Sequence, residues 1–214
     1  MNEKQQRPLG RPRQTDKKQP TNELIIQVAA LLFMENGYQN VSIDDVAEKC
    51  NVTKATVYYY YASKAELFTQ TMVQMMVRIR EKIRMLLQEN LPLKERLLNI
   101  TKSHLKGTVD VKMDGFMKGT KNTLSADQKV KIKQAEASMY EAIENAFIDA
   151  IAKNEIREMN PTFLAQTYLS LLKVSNYNNE KKQIFSTIEE VAEQIIGLFW
   201  QGVRKQEEHQ NKQQ

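Results

Sequence analysis

Helix start and stop signals crowd the stretch from Asn36 to Glu66, and they leave room for little except short, packed helices. Asn36-Gly37 ends a first helix: glycine takes the left-handed residue beyond a helix end at no steric cost, and Tyr38 supplies the apolar contact past such a cap. Ser42-Ile43-Asp44-Asp45 reads as a capping box, and its two carboxylates also suit the positive end of the helix dipole. Val46, Ala47 and Cys50 then face inward. Asn51 stands where a tight turn needs a residue tolerant of positive φ. Thr53 caps a third helix over 54–61, and Ser63-Lys64-Ala65-Glu66 is another box, opening a long helix to about Gln88. Three helices within about 40 residues, the second and third joined by a turn of about four, describe a helix-turn-helix unit.

The rest of the chain also reads as helix. The first helix begins near Thr21 or Asn22, both competent caps, and Leu24, Ile25, Val28, Ala29, Leu32 and Phe33 recur along it at helical spacing. Beyond Asn90-Leu91-Pro92 the spacing predicts helices over 92–107, a short irregular one near 110–121, and a long one opened by the box Ser125-Ala126-Asp127-Gln128. Two more follow over 161–175, started by Asn160-Pro161, and 184–205, with a turn at 176–179. Seven glycines and five prolines in 214 residues favour long helices over a sandwich or barrel. The predicted fold class is all-α: a polar basic arm (1–20), a three-helix N-terminal head (21–67), a larger helical body (68–205) and a frayed tail (206–214).

Charge and cysteine narrow the setting. The arm holds Lys4, Arg7, Arg11, Arg13, Lys17 and Lys18 against Glu3 and Asp16, a net +4, so it carries most of the chain's +5 excess. A basic segment is compatible with a polyanionic partner. Cys50 is the sole cysteine, which rules out an intrachain disulfide and makes a reducing compartment the natural home. The longest apolar run, 28–34, is far too short to span a bilayer. A cytoplasmic protein with no membrane partner is expected.

The third helix carries the functional signal. At 100° per residue, Val57 and Tyr61 define its buried side. Ala55, Thr56 and Tyr59 point the other way, flanked by Lys54 and Tyr58 on one side and Tyr60 on the other. A face built from a small residue, a hydroxyl, a cation and phenols suits a DNA major groove. There lysine donates to guanine or phosphate, threonine to phosphate or a base edge, and tyrosines meet phosphates and thymine methyls. The alternative is that the run Tyr58 to Tyr61 simply packs a small core; it applies best to Tyr61, whose hydroxyl then needs a partner or water.

The run from Val41 to Leu67, VSIDDVAEKCNVTKATVYYYYASKAEL, resembles the signature of the tetracycline-repressor (TetR) family of regulators. That pattern is Thr/Ser-x-x-x-Ile-Ala, then Gly-Val-Ser-x-Gly/Ala-Thr-Leu-Tyr-x-Tyr/His-Phe-x-Ser/Asn-Lys-x-x-Leu. Ala29 to Tyr38 is similar to the end of the family's first helix. Departures are mild: Cys50-Asn51 for Ala-Gly, Thr53 for Ser, Tyr61 for Phe. The resemblance implies base or groove contacts from Lys54, Ala55, Thr56 and Tyr59. It implies phosphate contacts from Ser42, Thr53, Tyr58, Tyr60 and Lys64, the last in a helix first turn whose amides also hold phosphate. In the arm, Gly10-Arg11-Pro12-Arg13 resembles a short core that enters a narrow A·T-rich minor groove, with Arg11 and Arg13 as contacts; a solubilising tail is the competing reading.

The body shows no catalytic constellation, no phosphate-binding glycine loop, no metal-ligand spacing and no cofactor signature, so an enzyme is not expected. By elimination it binds. The last two predicted helices carry broad apolar faces: Phe163, Leu164, Tyr168, Leu171 and Leu172, then Ile184, Phe185, Ile188, Val191, Ile195, Leu198, Phe199 and Val203. The resemblance implies that these helices form a four-helix bundle with a second copy, making a homodimer that addresses a palindromic operator. Residues that would line an effector site in the body are Met75, Met76, Ile79, Ile83, His104, Met113, Phe116, Met117, Met139 and Tyr140, since thioethers adapt to varied ligands; a plain methionine core is the alternative. The resemblance implies a repressor released from double-stranded DNA by an apolar or amphipathic small molecule. A DNA-associated architectural protein with the same head and no effector is the competing function.

Overall fold

The structure is a computed structural model that describes residues 19–108, 120, 123–173 and 187–205. Among them lie eight helices and no strand: α1 (Thr21–Asn40), α2 (Ile43–Lys49), α3 (Lys54–Tyr60), α4 (Lys64–Leu87), α5 (Leu93–Thr108), α6 (Ala126–Ala152), α7 (Pro161–Leu172) and α8 (Ile188–Val203). The all-α expectation holds. The arm with Arg11 and Arg13, the segment holding Met113, Phe116 and Met117, the turn at 176–179, Ile184, Phe185 and the tail fall outside the described residues.

Most of the local signals act as read. Gly37 takes φ 75°, interrupting α1 where the stop was expected, and one more turn follows to Asn40. Ser42 and Asp45 close a reciprocal capping box: Asp45 N–H donates to Ser42 Oγ at 3.1 Å and Ser42 N–H to Asp45 Oδ2 at 2.7 Å. Ser125 and Gln128 do the same at the start of α6. Asn160 Oδ1 accepts from Phe163 N–H ahead of Pro161. Asn51 adopts φ 54°.

Two caps differ from expectation. Neither Thr21 nor Asn22 caps α1; the carbonyl of Pro20 accepts from the amides of Glu23 and Leu24, and the fixed φ of proline pre-sets that turn. At α4 only half of the predicted box forms. Ser63 Oγ accepts from Glu66 N–H, while the Glu66 carboxylate turns to Gln70 one turn further on.

Two hydrophobic clusters organise the molecule. The first is built on Ile25, Ala29 and Phe33, one face of α1, against Val46, Ala47, Val57, Leu67 and Phe68. Phe33, Tyr38 and Phe68 form an aromatic trio with centroids 5.0–6.0 Å apart. This core does not close at Leu67: Phe68 and Met72 of α4, together with Leu124 and Ile132 at the start of α6, complete it. Tyr38 adds a polar tie, since its buried phenol also hydrogen-bonds Thr123. The second cluster gathers Ile83, Leu93, Leu97, Ile143, Phe147, Leu164, Tyr168, Ile196 and Phe199 from α4 to α8. Helix α4 therefore runs from one core into the other as a single rigid element.

Candidate nucleic-acid interface

Helix α3 is short and amphipathic, and its register decides everything about this surface. Val57 is 0% exposed and Tyr61 is buried, whereas Tyr59, two residues from Val57, is 82% exposed. Ala55, Tyr58 and Tyr60 are exposed and Thr56 is half-buried. The 100° helical step thus holds over the whole segment. The hydroxyl that Tyr61 carries in place of phenylalanine is satisfied: it donates to the Asn22 carbonyl at 3.0 Å and ties the end of α3 to the first turn of α1. Tyr59 and Tyr60 meet edge to face at 5.0 Å, so the two outer phenols brace each other.

The hydroxyls on this surface are oriented by capping. Thr53 Oγ1 accepts the Thr56 amide at 3.1 Å and lies 2.8 Å from Thr56 Oγ1. Ser42 Oγ is likewise fixed as an acceptor by Asp45 N–H. The backbone amide of Ser42, with help from its hydroxyl, holds the Asp45 carboxyl below the usual carboxylate range. Ser42 and Thr53 are exposed at the N-terminal ends of α2 and α3.

Both lysines of the predicted set have protein partners that sequence reasoning missed. Lys54 Nζ lies 2.7 Å from Asp44 Oδ2 across the turn, and that hydrogen bond raises the lysine pKa. Lys64 Nζ sits 4.4 Å above the Tyr38 ring and donates to the Gln39 carbonyl at 3.3 Å, locking the start of α4 onto the end of α1. Burial lowers its pKa, against the pull of Asp45. No local rule reveals these pairs, because the partners stand 10 and 25 residues apart.

The body residues divide differently from the expected sets. Met75 and Met76 pack on the first cluster, Ile83 and Met139 belong to the second, and Ile79 lies at the surface. Burial, together with the hydrogen bond that Tyr140 donates to Glu136 at 2.7 Å, pushes the tyrosine pKa up to about 12. His104 is half-buried, and burial lowers its pKa. Among the described residues a cleft of about 330 Å³ between α4, α5 and α6 is lined by Arg84, Arg96, Asp149, Lys153, Glu155 and the alanines Ala142, Ala146 and Ala150, among others.

Of the residues expected at a subunit interface, Leu164, Tyr168, Ile195 and Phe199 are buried within the protomer's own second core. They follow the i, i+4 stripe that a helix turns inward. Tyr168 is fully enclosed, its hydroxyl donating to the Leu97 carbonyl at 3.1 Å beside Thr101. Leu171, Ile188 and Val191 are half-buried. Phe163 and Leu198 are the two that point outward, 59% and 69% exposed.

Among the described residues no group of three His, Cys, Asp or Glu side chains is placed to hold a metal ion, and no helix is long and apolar enough to cross a membrane.

Comparison with known proteins agrees with this geometry. Residues 25–71 match the sequence profile of bacterial regulatory proteins of the tetR family. The chain is 26% identical over 167 residues to the uncharacterized HTH-type transcriptional regulator YhgD of Bacillus subtilis (strain 168), covering 75% of this chain and 84% of that one. It is 40% identical over 47 residues, 22% of this chain and 25% of the other, to the biofilm operon icaADBC HTH-type negative transcriptional regulator IcaR of Staphylococcus aureus (strain Newman). The fold superposes with a TM-score of 0.63 on that of AibR, solved in complex with isovaleryl coenzyme A and operator DNA, at 23% identity, covering 84% of this chain and 97% of that one. An all-helical body thus stands behind a three-helix head whose α3 buries Val57 and exposes Tyr59, and that head matches, over residues 25–71, the bacterial regulatory proteins of the tetR family.

Proposed function

We propose that the protein is a cytoplasmic repressor that binds a palindromic operator as a homodimer and leaves it when a small apolar or amphipathic ligand enters the body. The observation that carries this reading is the orientation of α3: a helix anchored by Val57 at 0% exposure offers Ala55, Thr56 and Tyr59 outward together. Lys54, Ala55, Thr56 and Tyr59 read base edges, while Ser42, Thr53, Tyr58, Tyr60 and Lys64 hold phosphates. Arg11 and Arg13 of the arm add minor-groove contacts. Phe163 and Leu198 supply the outward apolar contacts that pair α7 and α8 with a second copy.

Release requires a ligand that distinguishes two states of the protein. Helix α4 is the natural carrier, because Phe68 and Met72 sit in the first core and Ile83 in the second. A ligand that shifts α4 within the body moves the head with it and changes the spacing of the two α3 helices. The negative regulator IcaR and the complex of AibR with a coenzyme A thioester and operator DNA support a repressor with an amphipathic effector.

The test is selection of bound duplexes from a random library by the purified full-length protein. Recovery of one short two-fold symmetric sequence is the expected result. Length-dependent coating of any duplex refutes the regulator and leaves an architectural protein. If ligand titration across acyl thioesters and other amphiphiles never alters operator affinity, the effector half fails.

A further inference from the structure

The head is poor in positive charge for a surface that meets DNA. Residues 21–67 hold the six carboxylates Glu23, Glu35, Asp44, Asp45, Glu48 and Glu66 against the three lysines Lys49, Lys54 and Lys64. Of these lysines, Lys64 is engaged by the Tyr38 ring and the Gln39 carbonyl, and Lys54 by Asp44. The Lys54 pair is the informative one. The capping box of α2 uses Asp45, which leaves the Asp44 carboxylate to reach across the turn to the first residue of α3.

We propose that Asp44 is a specificity-determining residue of the DNA interface, acting through Lys54 Nζ, which it holds at 2.7 Å. The inference rests on the DNA-binding reading above. The two side chains are 52% and 64% exposed, so water screens their pairing and it stays weak enough for another acceptor to enter. A guanine edge offering O6 and N7 is neutral, so it can share the ammonium without bringing charge against the Asp44 carboxylate. A lone phosphate on random DNA is not: it must displace Asp44 from Lys54 while facing the Asp44 charge itself. Asp44 therefore makes the contribution of Lys54 conditional on the right base and suppresses attraction to arbitrary duplexes, a discrimination obtained by penalising the wrong partner.

The experiment compares full-length wild type with Asp44→Asn, Asp44→Glu, Lys54→Met and the Asp44→Asn/Lys54→Met pair, each checked for helicity by circular dichroism. Binding to the selected operator and to a scrambled duplex is followed by fluorescence anisotropy through a salt series. Freeing one lysine for phosphate steepens the salt slope on scrambled DNA by about 0.9 per head and tightens that binding roughly eightfold per head at about 0.1 M salt. Asp44→Asn is expected to show both, with operator affinity changed much less, so the operator-to-scrambled ratio falls. Asp44→Glu keeps the charge and keeps the wild-type ratio, and in the Lys54→Met background the effect of Asp44→Asn is much smaller. An unchanged ratio in Asp44→Asn overturns the proposal, as does an equal gain on both duplexes, or an undiminished effect without Lys54. If wild type itself does not prefer the operator, the regulator reading fails first, and that outcome is visible before any variant is compared.

Discussion

Two substitutions two residues apart on α3 test the orientation on which the functional reading stands. Val57 has no exposed surface, so Val57→Ala removes two methyl carbons from a packed core. At about 0.8 kcal/mol per methylene the lost burial is roughly 1.6 kcal/mol. The void left behind adds up to roughly 1 kcal/mol at ~24 cal/mol per Å³, so the head is expected to lose about 2 kcal/mol. Tyr59 is 82% exposed and touches Tyr60, so Tyr59→Ala is expected to change stability by no more than about 0.5 kcal/mol. On DNA the order reverses. Loss of a base-edge contact costs about 1–3 kcal/mol of discrimination, a fall of roughly 5- to 150-fold in the operator-to-scrambled ratio per head. Urea unfolding followed by circular dichroism reads the first quantity and fluorescence anisotropy on the two duplexes reads the second. Val57→Ala should lower the unfolding midpoint while the folded fraction keeps its ratio. Were Tyr59→Ala to destabilise the head as much as Val57→Ala, or to leave discrimination intact, α3 would not be the reading helix.

Other consequences are as direct. Tyr61→Phe deletes the bond to the Asn22 carbonyl and should cost about 0.5–1.5 kcal/mol in urea unfolding, with an unchanged midpoint showing that water replaces that bond. Burial depresses the His104 pKa, so the unfolded chain binds the extra proton first: stability from this group is present above about pH 6.5 and is lost as pH falls below it. His104→Gln should therefore show a smaller drop in thermal midpoint between neutral and mildly acidic pH than wild type, and parallel curves would contradict this. Leu198→Glu places a charge on the most exposed apolar side chain of α8 and should convert the dimer to monomer in sedimentation; a dimer of unchanged affinity would remove Leu198 from the interface. Deleting residues 1–14 should weaken operator binding and flatten its salt dependence, and unchanged affinity and slope would reject a role for Arg11 and Arg13.

Much of the head was legible from residues alone because its determinants are local. The box at Ser42, the positive φ of Gly37 and Asn51, and the inward set Val46, Ala47, Cys50 and Val57 depend on neighbours within four residues, and helix geometry carries that information directly. The miss at the start of α1 has the same physics in reverse: two good capping side chains were outcompeted by a backbone carbonyl that Pro20 had already positioned. The lining of the body was less legible. Methionines and isoleucines at helical spacing look alike whether they face a ligand, a core or a neighbouring helix, and here Met75 and Ile83 go to different cores.

Local residue order dictates that the chain is helical, where α2 and α3 begin, and which side of α3 turns outward, because caps, turn residues and a 100° step act within a few positions. Pairings over long sequence distances had to wait for the packed molecule: Lys54 with Asp44, Lys64 with Tyr38, Leu124 and Ile132 closing the first core, and Leu164, Tyr168, Ile195 and Phe199 turning inward while Phe163 and Leu198 stay out. A helix's period marks which residues share a face, but only the arrangement of neighbouring helices chooses which face is covered.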